Sequence, residues 1–297
     1  MSDHDEHKQA TSISEMMAFI RKRDAQEGWR IGLAYQPEPT DVFIVTPAKC
    51  GTTWMQQIVH GLRTRGSMDF AEITQVVPWI EMAFDMGIDL RAPQAGSPRA
   101  FKTHRPLTEV PKGGKYIILL RDPKDALLSH YHFFNGWIFE KDCVSIESFA
   151  REFYMPRRAY WNHITAFWEQ RNDENLLALS YEQMKSNLPG TVEKVARFIG
   201  VELDEELENI VVRQSDFRFM REHSSKFDDH LVRQARFKIW GLPVSEYTSK
   251  IRIGQVGESK TSLPETIKKE MDDVWQEEIT ATFGLNSYEE LRSELVN

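Results

Sequence analysis

The sequence predicts an α/β fold, a parallel sheet flanked by helices in a single domain. Three observations predict it. Short apolar runs alternate with amphipathic stretches up to about residue 180, the first of those runs passes through a small-residue turn straight into a helical pattern, and no internal repeat or Pro-, Gly- or Ser-rich linker divides the 297 residues. Strands alternating with helices favour parallel pairing with both faces covered. The chain is long enough for a large buried core.

Residues 1–12 carry alternating charge without apolar periodicity and read as a disordered lead-in, leaving 13–297 as the domain. Ile13, Met16, Met17 and Ile20 have helical spacing. Val42–Val45 is β-branched, apolar at every position and closed by Thr46-Pro47, the pattern of a buried parallel strand. Further strands are expected at Arg99–Thr103, Tyr116–Leu120 and Leu176–Leu179. Amphipathic stretches lie near Glu72–Phe84, Lys124–Phe134, Ser145–Tyr154 and Ala159–Glu169. After Tyr181 the chain is mostly helical, with Val192, Val195, Ala196 and Ile199 on one face and Gly200 suited to a C-cap. Residues 223–260 lack clear periodicity and read as a long functional loop. A final helix is expected over Pro264–Phe283.

Composition removes several classes of function. Thirty-seven Lys and Arg against 45 Asp and Glu give a net charge of −8, which repels polyanions and argues against a nucleic-acid partner. No apolar run exceeds five residues, far below the roughly 20 that span a bilayer, so no membrane partner is expected. The polar, acidic start MSDHDEHKQA has neither a secretory nor an Arg-rich transit pattern. With only Cys50 and Cys143, a disulfide framework and a four-thiolate metal site are both excluded. A reduced, cytoplasmic protein is the expectation.

The strongest local signal is TPAKCGTTW, Thr46–Trp54, between a strand and a helix. Small residues let the backbone approach an anion, successive N–H groups face it, and the helix N-terminus adds partial positive charge. Lys49 supplies a full charge; Thr52 and Thr53 supply hydroxyls. This is a P-loop-type arrangement, yet the nucleoside-triphosphate loop G-x-x-x-x-G-K-[ST] places Lys after its final Gly. Here Lys49 precedes Gly51, which argues against an ordinary ATPase.

PAKCGTTW resembles the 5′-phosphosulfate loop of the cytosolic sulfotransferases, close to YPKSGTTW. Three further segments agree in order and spacing. RDPKDALLSHYHF (Arg121–Phe133) is similar to that family's 3′-phosphate segment, FKTHRPL (Phe101–Leu107) to its KTHLP catalytic segment, and IRIGQVGESK (Ile251–Lys260) to its RKGxxGDWK signature. LSYEQMK, Leu179–Lys185, resembles YEDMK. The similarity spans roughly residues 40–285.

The resemblance implies a donor, 3′-phosphoadenosine 5′-phosphosulfate (PAPS), and transfer of its sulfuryl group to a hydroxyl or amine of a small-molecule acceptor, with no metal. It implies that Lys49, Cys50, Gly51, Thr52, Thr53 and Trp54 hold the 5′ side, and that Arg121, Ser129, Arg252 and Gly254 hold the 3′-phosphate. Trp54 and Phe217 match its adenine-stacking pair, with Tyr181 and Ser215 near the base edge. His104 is the implied general base, a role suited to a group titrating near neutrality. Lys102 shares its side of a strand-like segment by period-2 alternation, so Lys49 and Lys102 can stabilise charge on the transferred group. The remaining histidines, including His60, His130, His132 and His163, lack such a context.

The sequence departs from the family at Ile253, where the signature has Lys, at Glu258-Ser259, where it favours Asp-Trp, and at Cys50, where Ser is common. A thiol beside Lys49 and a helix N-terminus has the setting that lowers its pKa and raises its reactivity; the alternative is a small residue tolerated in a loop that binds through its amides. The family's KxxxTVxxxE dimer segment has no clean match in Lys260–Glu270, which leaves oligomeric state open. Acceptor walls are expected from 76–84, 134–141 and 223–250, with Trp79, Phe84, Trp137, Phe139, Phe237 and Trp240 making an apolar cavity. Glu81, Asp85, Asp228 and Asp229 are solvated acids or, alternatively, face a cationic acceptor. Two other functions remain: a P-loop phosphotransferase, and a nucleotide binder without catalysis.

Overall fold

Alternate residues of a strand face opposite sides of a sheet, so a run that is apolar throughout needs cover on both. Val42–Val45 (β1) is such a run and is fully buried in the computed structural model, which describes residues 8–21, 24–242 and 254–295. It lies between Ala100–Thr103 (β2) and Lys115–Leu120 (β3), with Leu176–Ser180 (β4) beyond β3. The order is β2-β1-β3-β4 and every pairing is parallel. Phe43, Val45, Phe101, Ile118 and Leu120 face one core, which continues through Phe149, Trp161, Phe167 and Trp275. Val42, Ile44, Ile117 and Leu119 face the other, built with Ile58, Val195 and Val211. The expected single α/β domain with helices on both faces is what the chain forms.

The predicted helices are mostly present. Ile13–Ile20 (α1) starts on Ser12, whose hydroxyl accepts from the Glu15 amide. Asp24–Leu33 (α2) was not anticipated, because Gly28 and Gly32 interrupt its pattern. Packing explains the second glycine: a Cβ at Gly32 would stand 2.0 Å from the Ile80 carbonyl oxygen. Thr52–Thr64 (α3) follows β1, and Pro123–Phe134 (α4) follows β3 with Asp122 as its cap. Gly200, at φ 79°, ends the helix Leu188–Ile199 as expected. The stretch from 145 to 154 is a short helix that passes into a π-helical turn, Phe149–Tyr154. The last expected helix is Glu265–Trp275 continued by a π-helical turn to Thr280, with Pro264 at its cap.

Three expectations are corrected. Residues 72–84 contain only the 3-10 turn Ile73–Gln75. Pro78 lacks an N–H, and the chain after it runs along the sheet edge, where the Lys102 amide donates to the Pro78 carbonyl (2.8 Å) and the Ile80 amide to the Lys102 carbonyl (3.0 Å). The long loop expected at 223–260 includes a helix, His230–Trp240. Its buried face combines Val232, Phe237 and Trp240 with Arg233 and Arg236, and those arginines conceal its period. Finally, the lead-in is ordered at Ala10, which is buried and pairs with the backbone of Ile138 and Glu140. Among the described residues no helix is long and apolar enough to cross a membrane.

Candidate active site

The carboxyl ends of all four strands open on one cavity of about 420 Å³. Open parallel sheets bind ligands at this edge. The turn after β1 enters it first. Lys49 has φ 69° and Gly51 φ 102°, both in the left-handed region, and the strain at Lys49 is of the kind concentrated at functional sites. Gly51 caps α3 without any side-chain hydrogen bond, so the first amides of that helix are directed at the cavity. A Cβ on Gly51 would meet the Tyr181 ring at 2.9 Å. Lys49 Nζ lies 4.2 Å from the centre of the Phe133 ring, while Thr52 and Thr46 share a 2.6 Å hydroxyl contact.

Of the two readings of Cys50, the geometry fits a small buried residue and not a reactive thiol. Its side chain is fully buried in the core, outside the cavity lining, with Sγ 3.8 Å from the Ala48 carbonyl oxygen. Burial pushes the thiol well above its usual pKa, and the nearby Arg121 charge offsets this only in part.

β2 delivers Lys102 and His104 to the cavity. His104 Nδ1 lies 2.9 Å from the Thr46 carbonyl oxygen. A carbonyl only accepts, so Nδ1 carries the hydrogen and the basic lone pair of the neutral ring is on Nε2. Trp79 meets the imidazole edge-on at 4.9 Å. The backbone around it is held from two sides: Glu81 Oε1 accepts from Thr103 Oγ1 (2.5 Å) and the His104 amide (3.3 Å), and His163 Nε2 donates to the His104 carbonyl (3.1 Å). Burial raises the Glu81 pKa and lowers that of His163 to about 4, so His163 is neutral at pH 7.

Lys102 is fully buried. Its ammonium is 3.2 Å from Asp229 Oδ1 and 4.9 Å from the centre of the Trp79 ring. Burial lowers its pKa to about 8, against the opposing pull of Glu72 and Glu81. The ammonium remains mostly charged at pH 7.

Arg121, at the end of β3, lies over the Tyr181 ring at 4.6 Å and donates from Nη2 to the Gln255 carbonyl (2.9 Å). Asp125 is 3.6 Å away, but its carboxylate mainly receives the amides of Gly257 (2.6 Å) and Ser259 (2.9 Å), which docks the segment from Gly254 onward against α4. Arg121 Nε and Ser215 Oγ are buried without a hydrogen-bond partner among the described residues. Trp54 Nε1 donates to the Ser215 carbonyl at 2.7 Å, and Gly254, at φ 65°, lies so close to Phe217 that a Cβ would come within 2.6 Å of the ring. Ser129, Tyr181, Ser215, Phe217 and Gly254 all line the cavity. Arg252 and Ile253 lie outside the described residues.

The acceptor walls are only partly those expected. Trp79, Trp137 and Trp240 line the cavity, joined by Trp29, Met82 and Phe153. Phe139 and Phe237 are instead buried in the core, and Phe84 is 53% exposed. The four acids are not solvated: Asp229 pairs with Lys102, Asp85 with Arg236 at 3.2 Å, Asp228 with His230 at 2.8 Å, and Glu81 is buried. His163 and Trp29 were not recognised as parts of the site, since each reaches it from a segment without a motif; Glu81 and Asp229 were expected as solvated acids or as groups facing a cationic acceptor, and instead hold the His104 backbone and the Lys102 ammonium.

Comparison with known proteins agrees with this geometry. Residues 39–283 match the family described as the sulfotransferase domain. Sulfotransferase 2A1 of Macaca fascicularis is 30% identical over 252 residues, 81% of this chain and 84% of that protein. Sulfotransferase 1B1 of Mus musculus is 29% identical over 263 residues, 84% and 85% of the two chains. Two solved structures share the fold with a TM-score of 0.66. Retinol dehydratase in complex with androsterone and the inactive cofactor PAP has 20% identity and covers 88% of this chain and 85% of its own. Mouse sulfotransferase SULT7A1 complexed with PAP has 17% identity, covering 93% and 94%.

Proposed function

This chain belongs to the sulfotransferase domain family and is a PAPS-dependent sulfotransferase, and from that premise we propose that His104 is the general base by which it sulfates a hydroxyl on an apolar small molecule. The observation that carries this reading is the Nδ1 contact to the Thr46 carbonyl, which leaves Nε2 as the base in a cavity shared with Lys49 and Lys102.

The residues present fit the donor. Two buried polar atoms without partners among the described residues, Arg121 Nε and Ser215 Oγ, suit a polyanionic nucleotide, and Gly51 and Gly254 let their loops close on the cavity rings Tyr181 and Phe217, which a Cβ would push away. Lys49 and the amides opening α3 would hold the 5′ side, Arg121 and Ser129 the 3′-phosphate, and Trp54, Phe217, Tyr181 and Ser215 the adenine. When bound, the donor supplies a sulfuryl group whose bond to the 5′-phosphate oxygen breaks as the acceptor oxygen bonds to sulfur.

His104 takes the acceptor proton on Nε2, and its Nδ1–H stays on the Thr46 carbonyl throughout. Lys49 and Lys102 offset the charge that builds on the transferred and leaving oxygens, in a site lined by several tryptophans. Asp229 holds Lys102 in place at 3.2 Å. Trp29, Trp79, Trp137 and Trp240 suit an acceptor with a large apolar body, the kind exemplified by the androsterone of the related retinol dehydratase complex.

His104→Ala separates binding from transfer. The variant is expected to bind PAP, read by titration calorimetry, with near wild-type affinity, since the imidazole faces the acceptor. Single-turnover transfer from saturating PAPS to an alcohol should fall by about 10²- to 10⁴-fold, the usual contribution of a positioned base. A folded variant that transfers sulfate at the wild-type rate removes His104 from the mechanism.

A further inference from the structure

Most of the cavity wall is apolar, yet one stretch of its rim is cationic. Arg157 lines the cavity with Ile20, Trp29 and Phe153, packs at 5.0 Å on the Phe153 ring and reaches solvent on its other side. Its one hydrogen-bond acceptor is the Met17 sulfur at 3.8 Å, and among the described residues no carboxylate lies within ion-pair reach of it. Arg105, the residue after His104, stacks at 4.4 Å on Trp29 and holds Glu109 at 3.1 Å. Arg21, which caps α1, has no acidic partner among the described residues either.

These cations are close enough to act on one another. Burial lowers the Arg157 pKa first, and the Arg105 and Arg21 charges lower it further. Arg157 thus stands in the cavity wall with two further guanidinium groups near it, Arg105 through its stacking on the cavity residue Trp29 and Arg21 next to the cavity residue Ile20, in a protein whose net charge is −8. The usual account of surface arginines, solvated groups on a polar face, does not fit Arg157, which forms part of a cavity wall. Nor does a structural ion pair, since it has none among the described residues. The motif adds an independent sign: KTHLP, which FKTHRPL resembles, has Leu where this chain has Arg105.

Building on the reading of this cavity as the acceptor site, we propose that the acceptor is an amphipathic hydroxy acid: its hydroxyl meets His104, its apolar body lies along the tryptophan wall, and its carboxylate is held by Arg157 at the rim, with Arg21 and Arg105 adding positive field. A guanidinium fork matches a carboxylate in shape and charge. Binding the anion would also relieve the repulsion among the three cations.

The test uses the full chain saturated with PAP, and a panel of ω-hydroxyalkanoates of eight to sixteen carbons with the α,ω-diols of matching length. Binding is read by quenching of tryptophan fluorescence, so no turnover is needed. At the best chain length the acid should bind about tenfold more tightly than its diol, the effect of one partly screened charge-assisted contact. That preference should shrink as salt rises. In Arg157→Gln the acid should fall to within about twofold of the diol, whereas Arg157→Lys, which keeps the charge, should retain part of the difference. The inference is overturned if no member of the panel binds, if no acid is preferred at any length, or if Arg157→Gln leaves the preference intact. Failure of the base assignment is distinguishable, because it appears as unaltered transfer by His104→Ala and leaves the acid preference in place.

Discussion

Lys102 is a fully buried amine whose protonation costs stability, and that cost can be measured. Its pKa in the folded protein is about 8, lowered by burial, against about 10.4 in an unfolded chain. The folded state binds its proton less tightly, so folding is penalised wherever the unfolded chain is protonated. Below pH 8 the penalty is complete, about 3 kcal/mol at 1.36 kcal/mol per pH unit. It declines as pH rises toward 10.4, because there the unfolded state holds more protons than the folded one and stability must increase with pH. Between pH 7 and 9.5 about 2 kcal/mol should be relieved. The assay is equilibrium urea unfolding of the wild type and Lys102→Met at both pH values, since groups titrating alike in the two proteins cancel in the difference. The wild type should gain about 2 kcal/mol relative to the variant. A difference that does not move with pH would refute the reasoning. One that moves the opposite way would mean that Asp229, at 3.2 Å, outweighs burial and holds the pKa above that of the unfolded chain.

Two other outcomes follow from the site. Iodoacetamide should modify exposed Cys143 in the native protein and reach buried Cys50 only after denaturation, read by mass spectrometry of the two peptides; native labelling of Cys50 would contradict the placement of its thiol. Gly254→Ala should weaken PAP binding by about tenfold in calorimetric titration, because the new Cβ strains a φ of 65° and displaces the Phe217 ring; an unchanged Kd would detach Gly254 from the nucleotide site.

The sheet was legible because a strand buried on both faces leaves an uninterrupted apolar run, and the residues after each strand were legible because they carry motifs. What failed was not local. In Thr46–Trp54 the residue types announce an anion loop, but only the φ angles of Lys49 and Gly51 decide which side chains face outward, and they turn Cys50 into the core. The helix His230–Trp240 hid because Arg233 and Arg236 occupy its buried face. Lys102 and Asp229 are 127 positions apart, so neither could be read from sequence as the other's partner. His163 likewise has no motif; it lines the cavity and contacts the His104 carbonyl from a helix 59 positions away.

The strand order gives these residues a division of labour. β1 lies between β2 and β3, so its loop, with Lys49, stands between the groups that follow its two neighbours. On the β2 side are Lys102 and His104; on the β3 side are Arg121, Ser129 and, from the end of β4, Tyr181. The cations proposed to hold the nucleotide and the proposed base therefore belong to opposite flanks of a shared central loop, whose own Thr46 contacts His104 of the β2 flank. If the proposed roles hold, a substitution on the β2 flank should alter proton transfer or acceptor choice while leaving the proposed nucleotide cradle intact. A substitution in the β1 loop must disturb both. On this reading, changes at Arg105 or at Trp29, on which it stacks at 4.4 Å, are expected to shift acceptor preference without rebuilding the proposed donor site.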